Sequence, residues 1–117
     1  MTHDFSSARA VKPVSDPALA EIVRRLVAAY HPIRVYLFGS MARAEAGPDN
    51  DYDLLLVVPD EAAAQRRGSR LAYEALRGTG AAADVLVCTR TYFEERLHLQ
   101  ASLPATVARE GVLLHAA

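Results

Sequence analysis

The spacing of apolar residues changes several times along this chain, and each change marks an element. Leu19, Ile22, Val23, Leu26 and Tyr30 recur at helical spacing, with Glu21, Arg24 and Arg25 off that stripe. Asp16-Pro17 supplies an N-cap and a proline for the first turn. Pro32 pushes His31 out of the α region, so the helix is predicted to end there. Ile33 to Phe38 is then an apolar run rich in β-formers, which predicts a buried strand. It stops at Gly39-Ser40. Met41 to Ala46 favours a helix, and Gly47-Pro48-Asp49-Asn50 a turn. A second apolar run, Asp51 to Val58, opens with two aspartates spaced by one residue.

Pro59-Asp60 ends that strand. Glu61 to Arg77 predicts one long helix, with Leu71, Ala72, Ala75 and Leu76 apolar and Arg66, Arg67 and Arg70 in solvent. Gly78-Thr79-Gly80 breaks it. Ala82 to Cys88 predicts a third strand with Asp84 among apolar neighbours. Thr91 to Leu97 and Ala101 to Glu110 are helical, Gly111 suits a C-terminal cap, and Val112 to Leu114 adds a short edge strand. Residues 1–15 are polar and small and are expected to form a poorly ordered leader. Residues 16–117 form a single domain, with no repeat, low-complexity tract or linker.

Composition narrows the class. A chain of 117 residues, 51% hydrophobic and 23% charged, is globular rather than disordered. Its net charge of -1 gives no electrostatic reason to bind nucleic acid non-specifically. The single cysteine, Cys88, excludes an intramolecular disulfide and a cysteine-based zinc site. No apolar run approaches the ~18 residues that span a membrane, and the first fifteen residues lack the core of a signal peptide. The default setting is cytoplasmic. His3, His31, His98 and His115 are scattered without ligand spacing, and there is no P-loop.

The candidate chemistry lies between the first two strands. A strand, a tight Gly39-Ser40 turn and a helix start together suit an anion, because free backbone N–H groups and the helix dipole converge there. Residues two apart on a strand share a face, so Asp51 and Asp53 project together. Two carboxylates this close repel, and a divalent cation relieves the repulsion. Each signal has a plainer reading alone. Gly-Ser is commonly only a turn, Asp-x-Asp occurs in caps, and Asp84 could be a satisfied polar residue at a strand edge.

Their combination is more specific. Gly39-Ser40, ten intervening residues, Asp51-x-Asp53 opening a strand, and Asp84 on a third strand resemble the nucleotidyltransferase superfamily that includes DNA polymerase beta. More narrowly, the pattern resembles the minimal nucleotidyltransferases. The resemblance covers roughly residues 17 to 115. It implies an α/β fold, a small mixed sheet of about four strands with helices mainly on one face, in a polymerase beta-like palm. It implies that Gly39, Ser40 and Arg43 bind the nucleotide. Asp51, Asp53 and Asp84 would be catalytic and hold two Mg2+ ions, with Asp84 also helping to activate the attacking hydroxyl. Arg43 has a structural ion pair as its plainer role. Ala44 and Asn50 stand where the family often has Gly and Ser or Thr; these departures touch the loop and leave the carboxylates intact.

The resemblance further implies transfer of AMP from ATP. Little chain remains beyond the catalytic core to hold an acceptor. Minimal nucleotidyltransferases of this kind are similar to antitoxins that modify a tyrosine of a partner HEPN-domain toxin, and that is the expected partner. Two alternatives stay open: modification of a small molecule such as an aminoglycoside, and an antitoxin that acts by binding alone. Homo-oligomerisation is also left open.

Overall fold

The computed structural model describes residues 10–39, 51–80 and 82–117. Asp16 opens helix α1, Pro17–Tyr30, and its side chain accepts from the Ala18 N–H at 3.0 Å. His31, in the left-handed region at φ 49°, closes the helix by donating its N–H to Val27 O. Strand β1 is Arg34–Phe38 and β2 is Tyr52–Val58. The helix expected over 41–46 and the turn over 47–50 lie outside the described residues.

β1 and β2 pair antiparallel, with Phe38 opposite Asp53. Strand β3, Ala83–Thr89, runs parallel to β2. Strand β4, Val112–Ala116, pairs antiparallel with β1. The sheet order is β3-β2-β1-β4, a mixed four-stranded sheet as the sequence predicts. Two parallel neighbours require a crossover, and residues 59–82 provide it.

That crossover is where the sequence reading and the structure part. In place of one helix over Glu61–Arg77 there is a 3-10 turn, Ala64–Arg66, and a short helix α2, Arg70–Ala75. Gly68-Ser69 interrupts the helical path, and the buried Tyr30 hydroxyl fixes the break. It donates to Gly68 O at 2.6 Å and accepts from the Ala72 N–H at 2.7 Å. Arg25 on α1 holds the far end of the crossover, donating to Arg77 O at 3.0 Å.

The last two helices follow β3. Helix α3 is Arg90–Glu95, capped by the Thr89 hydroxyl, and α4 is Leu103–Glu110, capped by Ser102. The predicted C-cap at Gly111 has extended backbone, φ -78° and ψ 170°. Glycine is required there by proximity: a Cβ would press on the carbonyl oxygens of Val107 and Leu37.

Alternation along the strands divides the core in two. The larger cluster joins Leu19, Ile22, Leu26 and Tyr30 of α1 and Ala72 of α2 to Val35, Leu37, Leu54, Leu56, Val58 and Val85. The smaller one, on the opposite face, joins Phe93 of α3 and Val107 of α4 to Tyr36, Leu55, Val57 and Leu113. Tyr36 and Phe93 stack there at 5.6 Å between ring centroids. The face expected to carry most of the helical packing is thus the α1–α2 face, while α3 and α4 cover part of the other. Of the predicted leader, residues 1–9 lie outside the described residues. Its end is tied down: the Lys12 N–H donates to Leu113 O at 2.9 Å, and Val14 packs against the larger cluster. Among the described residues no helix is long and apolar enough to cross a membrane.

Candidate active site

The end of β1 and the starts of β2 and β3 meet at one end of the sheet. Phe38, opposite Asp53, is followed by Gly39 at φ 73°, a conformation that L side chains rarely adopt. A Cβ on Gly39 would collide with the Asp53 carboxylate, so the absence of a side chain at 39 is what leaves room for the acid. Across the parallel ladder Asp53 is in register with Asp84. Neighbouring strands lie about 4.8 Å apart, and registered residues share a face. Asp51 immediately precedes β2 and is exposed, Asp53 is half-buried and Asp84 is exposed.

The carboxylates feel one another. The Asp53 carboxyl is pushed above its usual range, first by burial and then by the charges of Asp84 and Asp51. Asp53 therefore feels the charge of both other sequence-predicted acids. Ser40 and Arg43, the other predicted nucleotide contacts, lie outside the described residues.

The donor set can be weighed against a divalent cation. It offers hard carboxylate oxygens that repel each other, which suits Mg2+. Among the described residues, no three His, Cys, Asp or Glu side chains already meet as a ready-made metal site. Carboxylates of this kind fit an ion shared with substrate phosphates, the usual habit of Mg2+.

Two further features were not found from the sequence. Tyr52, between the two acids, points to the other face and packs against the larger cluster. Its hydroxyl donates to the Asp16 carboxylate, the N-cap of α1. This bond lifts the Tyr52 phenol to about 12 and lowers the Asp16 carboxyl. The start of β2 is thus pinned to the start of α1. A tyrosine flanked by two aspartates was the available signal, but its partner lies 36 residues away.

The second feature is a cleft of about 790 Å³ beside β3. Asp51 and Asp84 form one rim, and Arg70, Tyr73 and Arg77 line the wall made by α2 and the turn after it. A smaller hollow of about 360 Å³ lies between Leu55 and Leu86 on the sheet and Tyr92, Leu103 and Pro104. Cys88 lines it too, and burial pushes its thiol up to about 12.

A family model described as the nucleotidyltransferase domain matches residues 17–113. Among solved structures, a provisionally assigned nucleotidyltransferase from Sulfolobus solfataricus is similar in fold, with a TM-score of 0.53 and 22% identity over 82% of this chain and 75% of that one. A toxin–antitoxin crystal structure with AMP-PNP is similar with a TM-score of 0.50 and 16% identity, over 82% of this chain and 72% of that one. Comparison with curated proteins returned no significant match.

Proposed function

The chain belongs to the nucleotidyltransferase domain family and is a nucleotidyltransferase, and we propose that it transfers AMP from ATP to a hydroxyl of a partner protein, a tyrosine of a HEPN-domain toxin, and so acts as an antitoxin. The observation that carries this reading is the register of Asp53 with Asp84 beside the side-chain-free Gly39. It sets two acids beside the strand end where, in this reading, a triphosphate would meet the backbone.

In the proposed reaction the acceptor oxygen bonds to the α-phosphorus of ATP, the bond from that phosphorus to the bridging β-oxygen breaks, and pyrophosphate leaves. Gly39 lets the backbone come close to the phosphates, with Ser40 and Arg43 as further contacts. Asp51, Asp53 and Asp84 would hold Mg2+, and Asp84 would also help take up the proton of the attacking hydroxyl. Bound Mg2+, two ions in this reading, supplies charge neutralisation for the phosphates and the leaving pyrophosphate. The protein contributes position and charge rather than a covalent intermediate. ATP as donor and a toxin as acceptor draw support from the toxin–antitoxin structure with AMP-PNP, which has the same fold.

The test is incubation of labelled ATP and Mg2+ with the purified chain, with and without the protein encoded beside it. Label on the neighbour, lost in Asp51→Ala and in Asp53→Ala, is the expected result. A second reading is favoured by the cleft, whose volume suits a small molecule. Efficient labelling of an aminoglycoside with no partner protein would replace the first reading with that one. A neighbour bound and neutralised without label would replace it with inhibition by binding alone.

A further inference from the structure

The sheet order gives the site a direction. Gly39 ends β1, Asp53 begins β2 and Asp84 begins β3, so the proposed triphosphate side and the β3 side lie on opposite flanks of the acids. Displacement at phosphorus is in line: the attacking oxygen enters opposite the leaving group. If the phosphates leave on the β1 flank, the acceptor enters across β3, where the cleft of about 790 Å³ opens.

We propose that this cleft, between the outer edge of β3 and α2, holds an extended acidic polypeptide segment, with its hydroxyl residue at the Asp51 and Asp84 rim and its acids against Arg70 and Arg77. The proposal deepens the protein-modifying reading above and rests on it. Three observations favour that occupant. First, among the described residues β3 is the end strand of the sheet and pairs on one side only, with β2. The residues at its start, Ala82 to Val85, line the cleft, and an end strand is suited to pairing with another extended chain. A small molecule has no use for such an edge. Second, the cleft lining is segregated in charge, with Asp51 and Asp84 at the reaction end and Arg70 and Arg77 on the α2 wall; Arg70 also meets Glu74 at 3.9 Å, a long, solvent-exposed contact that an incoming carboxylate can replace. An incoming acidic group is repelled from the first and drawn to the second, which fixes the direction of the segment. Third, Tyr73 of α2 lines the same cleft and is 80% exposed, a large ring in solvent awaiting a partner surface.

The test reads binding rather than transfer. A fluorescein-labelled peptide with a tyrosine near one end followed by glutamates is titrated with the full chain, and anisotropy is recorded. A second peptide carries lysines in place of the glutamates, and a third probe is a short single-stranded oligonucleotide. The acidic peptide should bind best, with affinity falling as salt rises. Arg70→Ala combined with Arg77→Ala should weaken it about tenfold, with an unchanged far-UV circular dichroism spectrum. Arg70→Lys with Arg77→Lys should retain most of the binding. Equal binding of the two peptides, tighter binding of the oligonucleotide, or no change in the double alanine variant would overturn the proposal. Arginine-dependent binding of the acidic peptide with no label transfer to any partner would uphold the cleft and reject the adenylylation reading.

Discussion

At one end of β2, Leu54 to Val58 are at most 2% exposed, locked between two layers of apolar side chains. At the other end of the same strand Asp51 stands in solvent and Asp53 is only half-covered, close to a third acid. The two ends do opposite things to the folded state. Burial of the apolar end favours folding at roughly 25 cal/mol per Å² of surface removed from water. Half-burying Asp53 and gathering Asp84 and Asp51 around it disfavours it, as the raised Asp53 carboxyl records. Repulsion is tolerated at the acid end because the apolar end fixes the strand in register. The same strand therefore anchors the fold and holds the charges in place. Substitutions at the two ends should separate into losses of stability and losses of activity.

The largest effect should come from Asp53→Asn, which keeps the size of the side chain and removes its charge. Nucleotide transfer should fall by on the order of 10³-fold in Mg2+. Stability of the metal-free protein should move the other way. In the wild type the folded state holds the Asp53 proton more tightly than the unfolded chain does, so the contribution of this group to stability is greatest in acid and declines as pH rises through the raised carboxyl value. The variant escapes that decline. Thermal melts without metal should show no difference near pH 3 and a more stable variant at pH 7. A variant that transfers at the wild-type rate would remove Asp53 from the site.

At the apolar end, Leu56→Ala should cost about 3 kcal/mol of stability, because Leu56 is fully buried against α1. In urea titrations the midpoint should fall while the residual folded fraction keeps its affinity for nucleotide. A variant that loses nucleotide affinity without losing stability would mean that the two ends are not separable.

The difference between the ends was legible in the sequence because both signals are local. Asp51-x-Asp53 followed by an unbroken apolar run announces a strand with a charged start, and Asp16-Pro17, the Leu19–Tyr30 stripe and Pro32 delimit α1 in the same way. Gly39 next to a second acidic strand also followed from pattern, although the fit of the Asp53 carboxylate over Gly39 did not. What failed depends on tertiary partners. The break in the crossover is set by the Tyr30 hydroxyl bonding Gly68 and Ala72, about forty residues later in the chain. Arg70 was read as a solvated helix residue, and it is exposed. Its place in a cleft with Asp84 follows only from how that broken crossover sets α2 beside the β3 edge. Gly111 caps its helix as the sequence predicts, donating its N–H to Val107 O, but the reason for glycine there, a close approach to the Val107 and Leu37 carbonyls, is again tertiary.

Gly39→Ala tests the contact between β1 and the acid end. The added methyl meets the Asp53 carboxylate, and the positive φ adds backbone strain. The cost in stability should be about 2 kcal/mol. Activity should fall further than that loss of folded protein explains, because relief of the clash requires the carboxylate to move. Measuring kcat against Mg2+ concentration should show a higher metal requirement. If transfer falls only in proportion to the unfolded fraction, the Gly39–Asp53 contact has no part in the reaction.

The smallest effect should come from Tyr52→Phe, and its pH dependence makes it informative. The ring stays in the larger cluster, while the bond to Asp16 is lost. With solvent screening at that half-exposed N-cap, the loss should be about 1 kcal/mol at neutral pH. The bond needs a protonated phenol and an ionised carboxylate. The phenol is raised from 10.0 to about 12, so its contribution is complete below pH 10 and disappears as pH rises through 12. The Asp16 carboxyl is lowered from 3.8, so its contribution is complete above that value and is lost as pH falls through the lower folded value. The stability difference between wild type and Tyr52→Phe should therefore be flat from about pH 5 to pH 10 and shrink on both sides. Urea midpoints at pH 3, 7 and 11.5 are enough to check this. A difference that stays constant up to pH 12 would show that no such hydrogen bond ties β2 to α1. The acid end would then depend on the Phe38 and Asp84 pairings alone for its position.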